Sequence, residues 1–511
     1  MTESIPLPLS DEPARVSIGN IGLDNILGGG LKPDRVYLVE GRPGTGKTTL
    51  ALQFLLEGVR RGERCLYVTL SESERELHDV AAGHGWSLEG INVFELVAAE
   101  ASLDPNRELT FFHPGEIELG ETIKQILDRV VEIDPKRVVF DSLSEMRLLA
   151  ESTLRYRRQI LALKNFFAGR RCAVVLVDDI SSQEDDFQLH SAVNGVVTLE
   201  HLALDYGAER RRLRVVKMRG MSYRGGYHDF IIEKGGLAVY PRLVAAEHHK
   251  AFLGEMTSTG SSELDALLGG GIERGTSVLL IGGAGVGKSS IALTYVMAAA
   301  GRGESTMIFA FDEGLGTVFA RAAGLGMPLQ SYVESGQVRV QQIDPAEMSP
   351  GEFAHRVRRS VEQDGARVIV IDSLNGYLNA MPAERYLILQ MHELLSYLNQ
   401  LGVVTILVLA QHGLMGPLQT PLDISYLSDG VLMLRYFEAE GRVRRVISVV
   451  KKRSSAHEDA IREFRLTVEG VKVGPPLTEF QGVLSGTPSY RGTINPLLAV
   501  GDPPGDPHSY D

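Results

Sequence analysis

The chain has 511 residues, which exceeds a typical single domain, and its 44% hydrophobic and 23% charged residues are ordinary for a globular protein. Its formal net charge of −13 weighs against avid, sequence-independent binding of nucleic acid, which requires a basic surface. The two cysteines, Cys65 and Cys172, show neither metal-ligand nor redox spacing, so we expect buried free thiols.

The sequence predicts neither a targeting signal nor a membrane-spanning segment. Its start, MTESIPLPLSDEP, lacks the basic residues and apolar stretch of a signal peptide, and no run approaches the roughly 20 apolar residues of a membrane span. We therefore expect a cytoplasmic protein without membrane contact. Composition also predicts a flexible N-terminus at residues 1–14 and a flexible, Gly- and Pro-rich tail at 485–511.

The first distinctive element in chain order is a glycine-rich loop, GRPGTGKT, at Gly41–Thr48. A strand-like apolar run, Val36–Glu40, precedes it, and a helical pattern follows from Leu50. In such phosphate-binding loops, glycines let backbone N–H groups surround phosphate oxygens, the Lys reaches the β- and γ-phosphates, and the Thr or Ser hydroxyl holds Mg²⁺. The loop therefore predicts binding of ATP and Mg²⁺.

Two acids follow strand-like runs further along the first half. Glu72 comes after the run CLYVTL, where a carboxylate would polarise the attacking water. Asp141 closes the run RVVFD, where an acid can hold the water shell of Mg²⁺. We predict these roles; the alternatives are a helix start for Glu72 and a helix cap for Asp141.

Toward the end of the first half, the pattern changes to β-hairpins with polar, Gly-containing turns. One apolar strand there ends in the basic pair Lys217 and Arg219. In rings that bind nucleotide between subunits, a neighbouring subunit supplies such charges to the γ-phosphate. We predict this role, and the alternative is an exposed strand end rich in basic residues.

The same succession of motifs recurs 241 residues later. The second loop is GGAGVGKS at Gly282–Ser289, between the apolar run Val278–Ile281 and a helical pattern from Ile291. The acidic cluster, the strand-ending acid and the basic pair recur as Asp312-Glu313, Asp372, and Lys451 with Arg453. Two loops in register predict a duplicated nucleotide-binding protein.

The candidate residues fall into three groups. The predicted catalytic residues are Lys47, Glu72, Lys288, Asp312 and Glu313. The predicted metal ligands are Thr48, Asp141, Ser289 and Asp372. The predicted ATP-binding residues are Gly41, Pro43, Gly44, Thr45, Gly46, Lys47, Thr48, Thr49, Lys217, Arg219, Gly282, Ala284, Gly285, Val286, Gly287, Lys288, Ser289, Ser290, Lys451 and Arg453.

The alternation of strands and helices predicts an α/β fold with two tandem P-loop domains. Each is expected to hold a mostly parallel, doubly wound sheet that ends in β-hairpins, because continuous Val, Ile and Leu runs are typical of strands buried on both faces. We place the first domain at residues 15–242, a linker at 243–256 and the second domain at 257–484.

With these motifs, the chain resembles the KaiC family, tandem-domain ATPases of the RecA-like group, over roughly residues 15–485. The resemblance rests on the P-loops, the Gly-Leu-Asp and Leu-Gly-Gly-Gly lead-in, the acidic clusters, Asp-Ser-Leu after the Walker B strand, Lys-x-Arg, and the closing Ala460–Phe464. It implies a double-ring homo-hexamer with ATP between subunits and slow ATP hydrolysis. The resemblance also implies autophosphorylation in the second ring, as in the family's clock protein, and a signalling partner protein.

Several residues depart from the clock protein's pattern. Ser71 and Asp312 stand where that protein has the first glutamate of each acidic pair, and its Ser-Thr phosphorylation pair falls on Ser425 and Tyr426. Ser425 remains a candidate phosphate acceptor, whereas a two-site phosphorylation cycle is not expected. We therefore expect a KaiC-like homologue rather than a circadian oscillator.

Three functions remain open from the sequence. The first is a Mg²⁺-dependent ATPase and serine autokinase whose nucleotide state sets a signalling surface. The second is a DNA-dependent motor of the RadA or DnaB type, against which the acidic charge and the lack of a zinc module weigh. The third is a nucleotide-gated scaffold with little catalysis.

Overall fold

The structure is a computed structural model and describes residues 15–96, 114–150, 152–180, 186–203, 206–379, 387–411, 426–484, 488–492 and 497. The chain divides into two compact units with the boundary between Arg242 and Leu243. The predicted flexible N-terminus and Ser425 lie outside the described residues. No helix in the described ranges is long and apolar enough to cross a membrane.

The first unit is a nine-stranded sheet with helices. Its strands are β1 (Arg35–Gly41), β2 (Cys65–Thr69), β3 (Ile91–Glu95), β4 (Arg137–Asp141), β5 (Ala173–Asp179), β6 (Gly195–Leu202), β7 (Arg210–Met218), β8 (Tyr227–Glu233) and β9 (Gly236–Tyr240). Its helices are α1 (Ile21–Ile26), α2 (Lys47–Arg60), α3 (Glu74–Gly83), α4 (Pro114–Ile133), α5 (Leu143–Ala150), α6 (Thr153–Phe167) and α7 (Asp186–Ala192).

The strand order is β3-β2-β4-β5-β1-β6-β7-β8-β9. The pairs from β3 to β6 are parallel, and those from β6 to β9 are antiparallel. Alternate residues of the central strand enter different cores: Tyr37 and Val39 lie in one, Val36 and Leu38 in the other. A strand covered on both faces must be apolar along its whole length, which explains the continuous hydrophobic runs.

The second unit repeats this architecture. Its strands are β10 (Met256–Thr257), β11 (Ile272–Glu273), β12 (Ser277–Gly282), β13 (Thr306–Ala310), β14 (Val338–Gln342), β15 (Val368–Asp372), β16 (Val404–Ala410), β17 (Gly430–Ala439), β18 (Arg442–Lys452), β19 (Arg462–Thr467), β20 (Gly470–Pro476), β21 (Phe480–Gln481) and β22 (Ser489–Tyr490). Its α-helices are α8 (Ser262–Leu267), α9 (Lys288–Gly301), α10 (Leu315–Gly324), α11 (Leu329–Glu334), α12 (Pro350–Glu362), α13 (Leu374–Asn379) and α14 (Leu387–Gln400).

The nine-stranded sheet of this unit has the order β14-β13-β15-β16-β12-β17-β18-β19-β20, which matches the first sheet strand for strand. The predicted fold class, two tandem α/β domains with mostly parallel sheets ending in β-hairpins, is confirmed. Within the range predicted as a linker, Leu243 and Ala245 are buried in the core of the second unit. Within the predicted tail, Ser489–Tyr490 pairs with Phe480–Gln481.

This topology brings the candidate residues of each domain to one edge of its sheet. The P-loop follows β1, Asp141 ends β4, and Glu72 follows β2, and these parallel strands all end at the same edge. The corresponding strands of the second unit are β12, β15 and β13. Ligands of open α/β sheets bind at the carboxyl ends of the strands.

Candidate nucleotide-binding sites

The P-loop of the first domain is shaped by a glycine at the start of α2. Gly46 has a φ of 94°, and a Cβ added to it would lie 2.7 Å from the Cδ1 of Ile232, so glycine is required there. The Nζ of Lys47 donates hydrogen bonds to the carbonyls of Gly41 and Arg42, both at 3.0 Å. The lysine therefore curls back over the loop at the helix amino terminus, where anions bind favourably.

The predicted metal-binding pair of the first domain is assembled. The Oγ1 of Thr48 donates to Oδ2 of Asp141 at 2.8 Å, and the hydroxyl of Tyr67 donates to the same oxygen at 2.6 Å. Burial raises the pKa of Asp141, and the two hydrogen bonds oppose that rise by favouring the carboxylate. The site therefore holds an oriented carboxylate beside a hydroxyl, and both offer the hard oxygens that Mg²⁺ prefers.

Glu72 lies in a turn beside this pair. Its N–H donates to the Oγ1 of Thr69 at 3.1 Å, and its carbonyl accepts from the same hydroxyl at 2.5 Å. Its Oε2 is buried and has no hydrogen-bond partner among the described residues. Burial raises the pKa of Glu72, and the charge of Asp141 raises it further. A carboxylate oxygen without a partner is suited to accept a hydrogen bond from water.

Lys47 also contacts an acid that the sequence did not single out. Its Nζ lies 2.7 Å from Oδ1 of Asp179, the last residue of β5. The strand register places Asp179 opposite Gly41, where the P-loop begins. The signal was available, because Asp178 and Asp179 directly follow the predicted apolar strand Cys172–Val177, as Asp141 follows its own strand.

The P-loop of the second domain has the same backbone with different surroundings. Gly287 has a φ of 113° and precedes Lys288, whose Nζ donates to the carbonyls of Gly282 at 3.0 Å and Gly283 at 2.7 Å. Burial lowers the pKa of Lys288 to about 8, while the charge of Asp372 opposes this. The register position of Asp179 is occupied here by Ala410.

The predicted metal-binding pair of the second domain, Ser289 and Asp372, has no tyrosine at the position that corresponds to Tyr67. Ser289 forms a hydrogen bond with Asp372, which opposes the rise in the pKa of Asp372 caused by burial. Ile308 stands 241 residues after Tyr67 and offers no hydroxyl. A cavity of about 10 Å³ lies here, with Ile308, Ser289 and Asp372 in its wall. This volume holds about one water molecule.

Both acids of the second acidic cluster accept hydrogen bonds from side chains, whereas Oε2 of Glu72 has no partner among the described residues of the first domain. Glu313 accepts hydrogen bonds at both carboxylate oxygens from Nη2 of Arg321 on α10. Asp312 accepts a hydrogen bond from the hydroxyl of Ser373, which follows Asp372. No sequence signal predicted either contact, because each depends on how a later helix or turn packs against the cluster.

The basic pair of the first domain lies at the opposite edge of its sheet. Lys217 pairs with Val196 near the amino end of β6, whereas the P-loop follows the carboxyl end of the parallel strand β1. Lys217 donates to the carbonyl of His190, and Nη2 of Arg219 donates to the carbonyl of Ser191 at 2.9 Å. The structure does not bring these cations to the P-loop of their own domain.

The basic pair of the second domain is placed in the same way. Lys451 pairs with Val431 near the amino end of β17 and donates to the carbonyl of Ser428 at 2.7 Å. Nη2 of Arg453 donates to the carbonyl of Tyr426 at 3.2 Å. The remaining predicted ATP-binding residues lie in the two loops and the first turns of α2 and α9: Gly41, Pro43, Gly44, Thr45, Thr49, Gly282, Ala284, Gly285, Val286 and Ser290.

Comparisons with known proteins agree with this architecture. The family model of the KaiC ATPase matches twice, at residues 16–244 and 257–478. Circadian clock protein KaiC3 of Synechocystis sp. is 27% identical over 491 residues, covering 94% of this chain and 96% of its own length. Circadian clock oscillator protein KaiC of Acaryochloris marina is 26% identical over 473 residues, covering 92% and 90%. That of Thermosynechococcus vestitus is 26% identical over 478 residues, with the same coverage.

Proposed function

The chain belongs to the KaiC family of ATPases, and we propose that it hydrolyses ATP with Mg²⁺ at both P-loops. The observation that carries the proposal is the contact between the P-loop hydroxyl and the strand-ending acid, 2.8 Å between Thr48 Oγ1 and Asp141 Oδ2. Two residues 93 positions apart in sequence thus meet beside the P-loop, and their oxygens would hold Mg²⁺ there.

The site residues have different proposed roles, which follow from their positions. Backbone N–H groups of the loops and the ammonium groups of Lys47 and Lys288 bind the phosphates, and Thr48 and Ser289 with their partner acids hold Mg²⁺. The bound metal supplies a positive charge that neutralises the developing phosphate charge. Glu72 and Glu313 orient the attacking water, and most of the rate enhancement comes from this positioning.

We propose that the chain assembles into a homo-hexamer with ATP between subunits. The support is the position of the basic pairs, which lie at the sheet edge opposite their own P-loop. Lys217, Arg219, Lys451 and Arg453 would then contact the γ-phosphate on a neighbouring subunit, which is the role of an arginine finger. Family membership supports the same assembly.

We also propose Ser425 as the acceptor of an autophosphorylation in the second domain, with the phosphorylation state controlling a partner protein. The support is the alignment of Ser425 with the phosphorylation pair of the clock protein and the printed names of the relatives as circadian clock proteins. Transfer would move the γ-phosphoryl group to the Ser425 hydroxyl, with its proton passing to Glu313 and ADP leaving.

The test combines ADP release with intact mass of the purified full-length protein incubated with Mg-ATP. Wild type should release ADP, and the double variant Glu72→Gln, Glu313→Gln should release almost none while still binding ATP. Equal release by both would reject the assigned catalytic residues. A phosphate adduct present in wild type and lost in Ser425→Ala supports the autokinase, and an unmodified wild type rejects it.

A further inference from the structure

The two sites differ in what holds the proposed catalytic glutamate. Nη2 of Arg321 donates to both carboxylate oxygens of Glu313, and the two side chains are only 21% and 33% exposed. Arg321 lies eight residues after Glu313, so α10 brings its guanidinium back over the acidic cluster. A charge-assisted contact to both oxygens at a partly buried position is a strong and directional restraint.

This ion pair lies at the proposed catalytic edge rather than on an outer surface. Glu313 and Arg321 both line the small cavity that also contacts Ser289 and Asp372. The charges of Glu313 and Arg321 act in opposite directions on the pKa of Asp372. The guanidinium is therefore close to both the proposed water-orienting acid and the proposed metal-binding acid.

The first site offers an internal comparison without this arginine. Val80 stands 241 residues before Arg321, on the corresponding helix α3, and packs on the apolar core. The corresponding glutamate, Glu72, keeps a buried Oε2 with no hydrogen-bond partner among the described residues. The two domains thus present the same catalytic acid in a restrained and an unrestrained form.

We propose that Arg321 is a positioning residue that restrains Glu313 and slows water activation at the second site. The inference rests on the proposed function, because it takes Glu313 as the residue that orients water. A carboxylate whose two oxygens both accept from one guanidinium is anchored to α10, and it must release that contact before it can orient water over the γ-phosphate. The second site therefore turns over only when Glu313 leaves Arg321.

The test measures ADP release by the full-length protein in a Glu72→Gln background, so that only the second site contributes. Arg321→Val, which introduces the residue found in the first domain, should raise kcat on the order of tenfold with little change in KM, because it removes a hydrogen bond to a charged group. Arg321→Lys keeps a cation near Glu313 and should stay close to the slow parent. A general structural defect would lower kcat in both variants.

The reciprocal change tests the same idea in the first domain. In a Glu313→Gln background, Val80→Arg should lower kcat, whereas Val80→Met, of similar bulk and no charge, should leave it unchanged. If Arg321→Val fails to fold, Arg321→Gln replaces it, and Val80→Arg and Val80→Met provide the second measurement. Unchanged or lower kcat in Arg321→Val, or in Arg321→Gln where it replaces Arg321→Val, would overturn the proposal, as would equal effects of Arg and Met at position 80.

The double variant Glu72→Gln, Glu313→Gln distinguishes a failure of the proposed role of Glu313 from a failure of the proposed role of Arg321. If it releases ADP as fast as Glu72→Gln alone, Glu313 does not orient water, and the proposed function fails at the second site. If the double variant is inactive but Arg321→Val equals its parent, the catalytic assignment stands and only the role of Arg321 is rejected.

Discussion

At the scale of single residues, the two P-loop lysines differ in the groups that face their ammonium nitrogens. Lys47 contacts a carboxylate, Asp179, in addition to the loop carbonyls, whereas the register position of that acid holds Ala410 in the second domain. Because the P-loop lysine is the group that binds the β- and γ-phosphates, a carboxylate 2.7 Å from its Nζ competes with phosphate for the same ammonium group. We therefore expect ATP binding at the first site to weaken the contact between Lys47 and Asp179.

We expect Asp179→Asn to tighten ATP binding at the first site by roughly tenfold, because removal of the competing charge leaves Lys47 free for phosphate. Calorimetric titration of full-length protein that also carries Lys288→Met isolates this site. The matched control is Ala410→Asp in a Lys47→Met background, which should weaken the second site. Unchanged affinity in both variants would show that the carboxylate does not compete with the nucleotide.

The lowered pKa of Lys288 predicts that ATP binding at the second site is coupled to proton uptake. Its pKa is lowered to about 8 by burial, so at about pH 9 the free protein holds it mostly neutral, whereas bound phosphates favour the charged form. ATP binding should therefore take up a proton at about pH 9 and take up none at this residue near pH 7. Calorimetry of the Lys47→Met protein in two buffers with different ionisation enthalpies measures the uptake. Proton release at pH 9 would contradict the prediction.

The sequence predicted single residues well where one strand end determines their place. Asp141 is the last residue of β4 and Glu72 lies in the turn after β2, so the parallel topology brings both to the P-loop edge. Arg321 was not predicted, because its contact with Glu313 depends on the face that α10 turns toward the cluster. Tyr67 was also not predicted, because the sequence of an apolar strand indicates only that this tyrosine is buried. Its hydrogen bond to Asp141 is visible only in the structure.

At the scale of secondary-structure elements, the hairpin of β8 and β9 contains a buried histidine. His228 is 1% exposed; its Nδ1 accepts from the N–H of Arg242 at 2.8 Å, and its Nε2 lies 3.0 Å from the carbonyl of Arg224. Burial lowers its pKa to about 4. The neutral ring therefore links the end of the first unit to the loop before β8.

This histidine should make the first domain sensitive to acid. Between about pH 6.5 and 4 the unfolded chain binds a proton that the folded chain does not, so stability falls as the pH falls through this window. At pH 5 the loss from this group is about 2 kcal/mol. The fluorescence of Trp86, the single tryptophan, reports unfolding of this domain in urea.

We expect the urea midpoint of wild type to drop from pH 7 to pH 5 by more than that of His228→Gln. His78→Gln, at a half-exposed position on α3, is the matched control and should keep the wild-type difference. Equal drops in His228→Gln and wild type would assign the acid sensitivity to other groups.

The secondary-structure elements were largely predictable, because the sequence repeats after 241 residues and each element could be compared with its counterpart in the other half. Apolar strands of one half were matched by those of the other, and the observed sheets share one strand order. The short strands β10, β11, β21 and β22 were not predicted. Two-residue strands carry no periodicity, and their pairing depends on tertiary contacts.

At the scale of the whole molecule, the positions of the basic pairs argue for catalysis across subunits. Lys217 pairs with Val196, which lies level with Leu38, about 10 Å along the strand from the P-loop start at Gly41. Arg219 lies further still, because its N–H donates to the carbonyl of Asn194. A head-to-tail ring would place this edge of one subunit against the P-loop edge of the next.

Mixing two inactive variants tests this arrangement directly. One variant carries Arg219→Ala and Arg453→Ala, and the other carries Lys47→Met and Lys288→Met. Each alone should release ADP slowly, because every interface lacks either the finger or the loop lysine. Assembled together in equal amounts, they should recover roughly a quarter of wild-type activity, since one random interface in four pairs an intact loop with an intact finger.

The same mixture distinguishes action in trans from action in cis. If the arginines served the P-loop of their own subunit, every subunit in the mixture would carry one lesion, and activity would stay at the level of the parents. Mixing before assembly with ATP and mixing preformed rings should also differ, because only exchange of subunits creates the intact interfaces. Recovery that requires exchange would therefore place the catalytic unit at the contact between two copies of the chain.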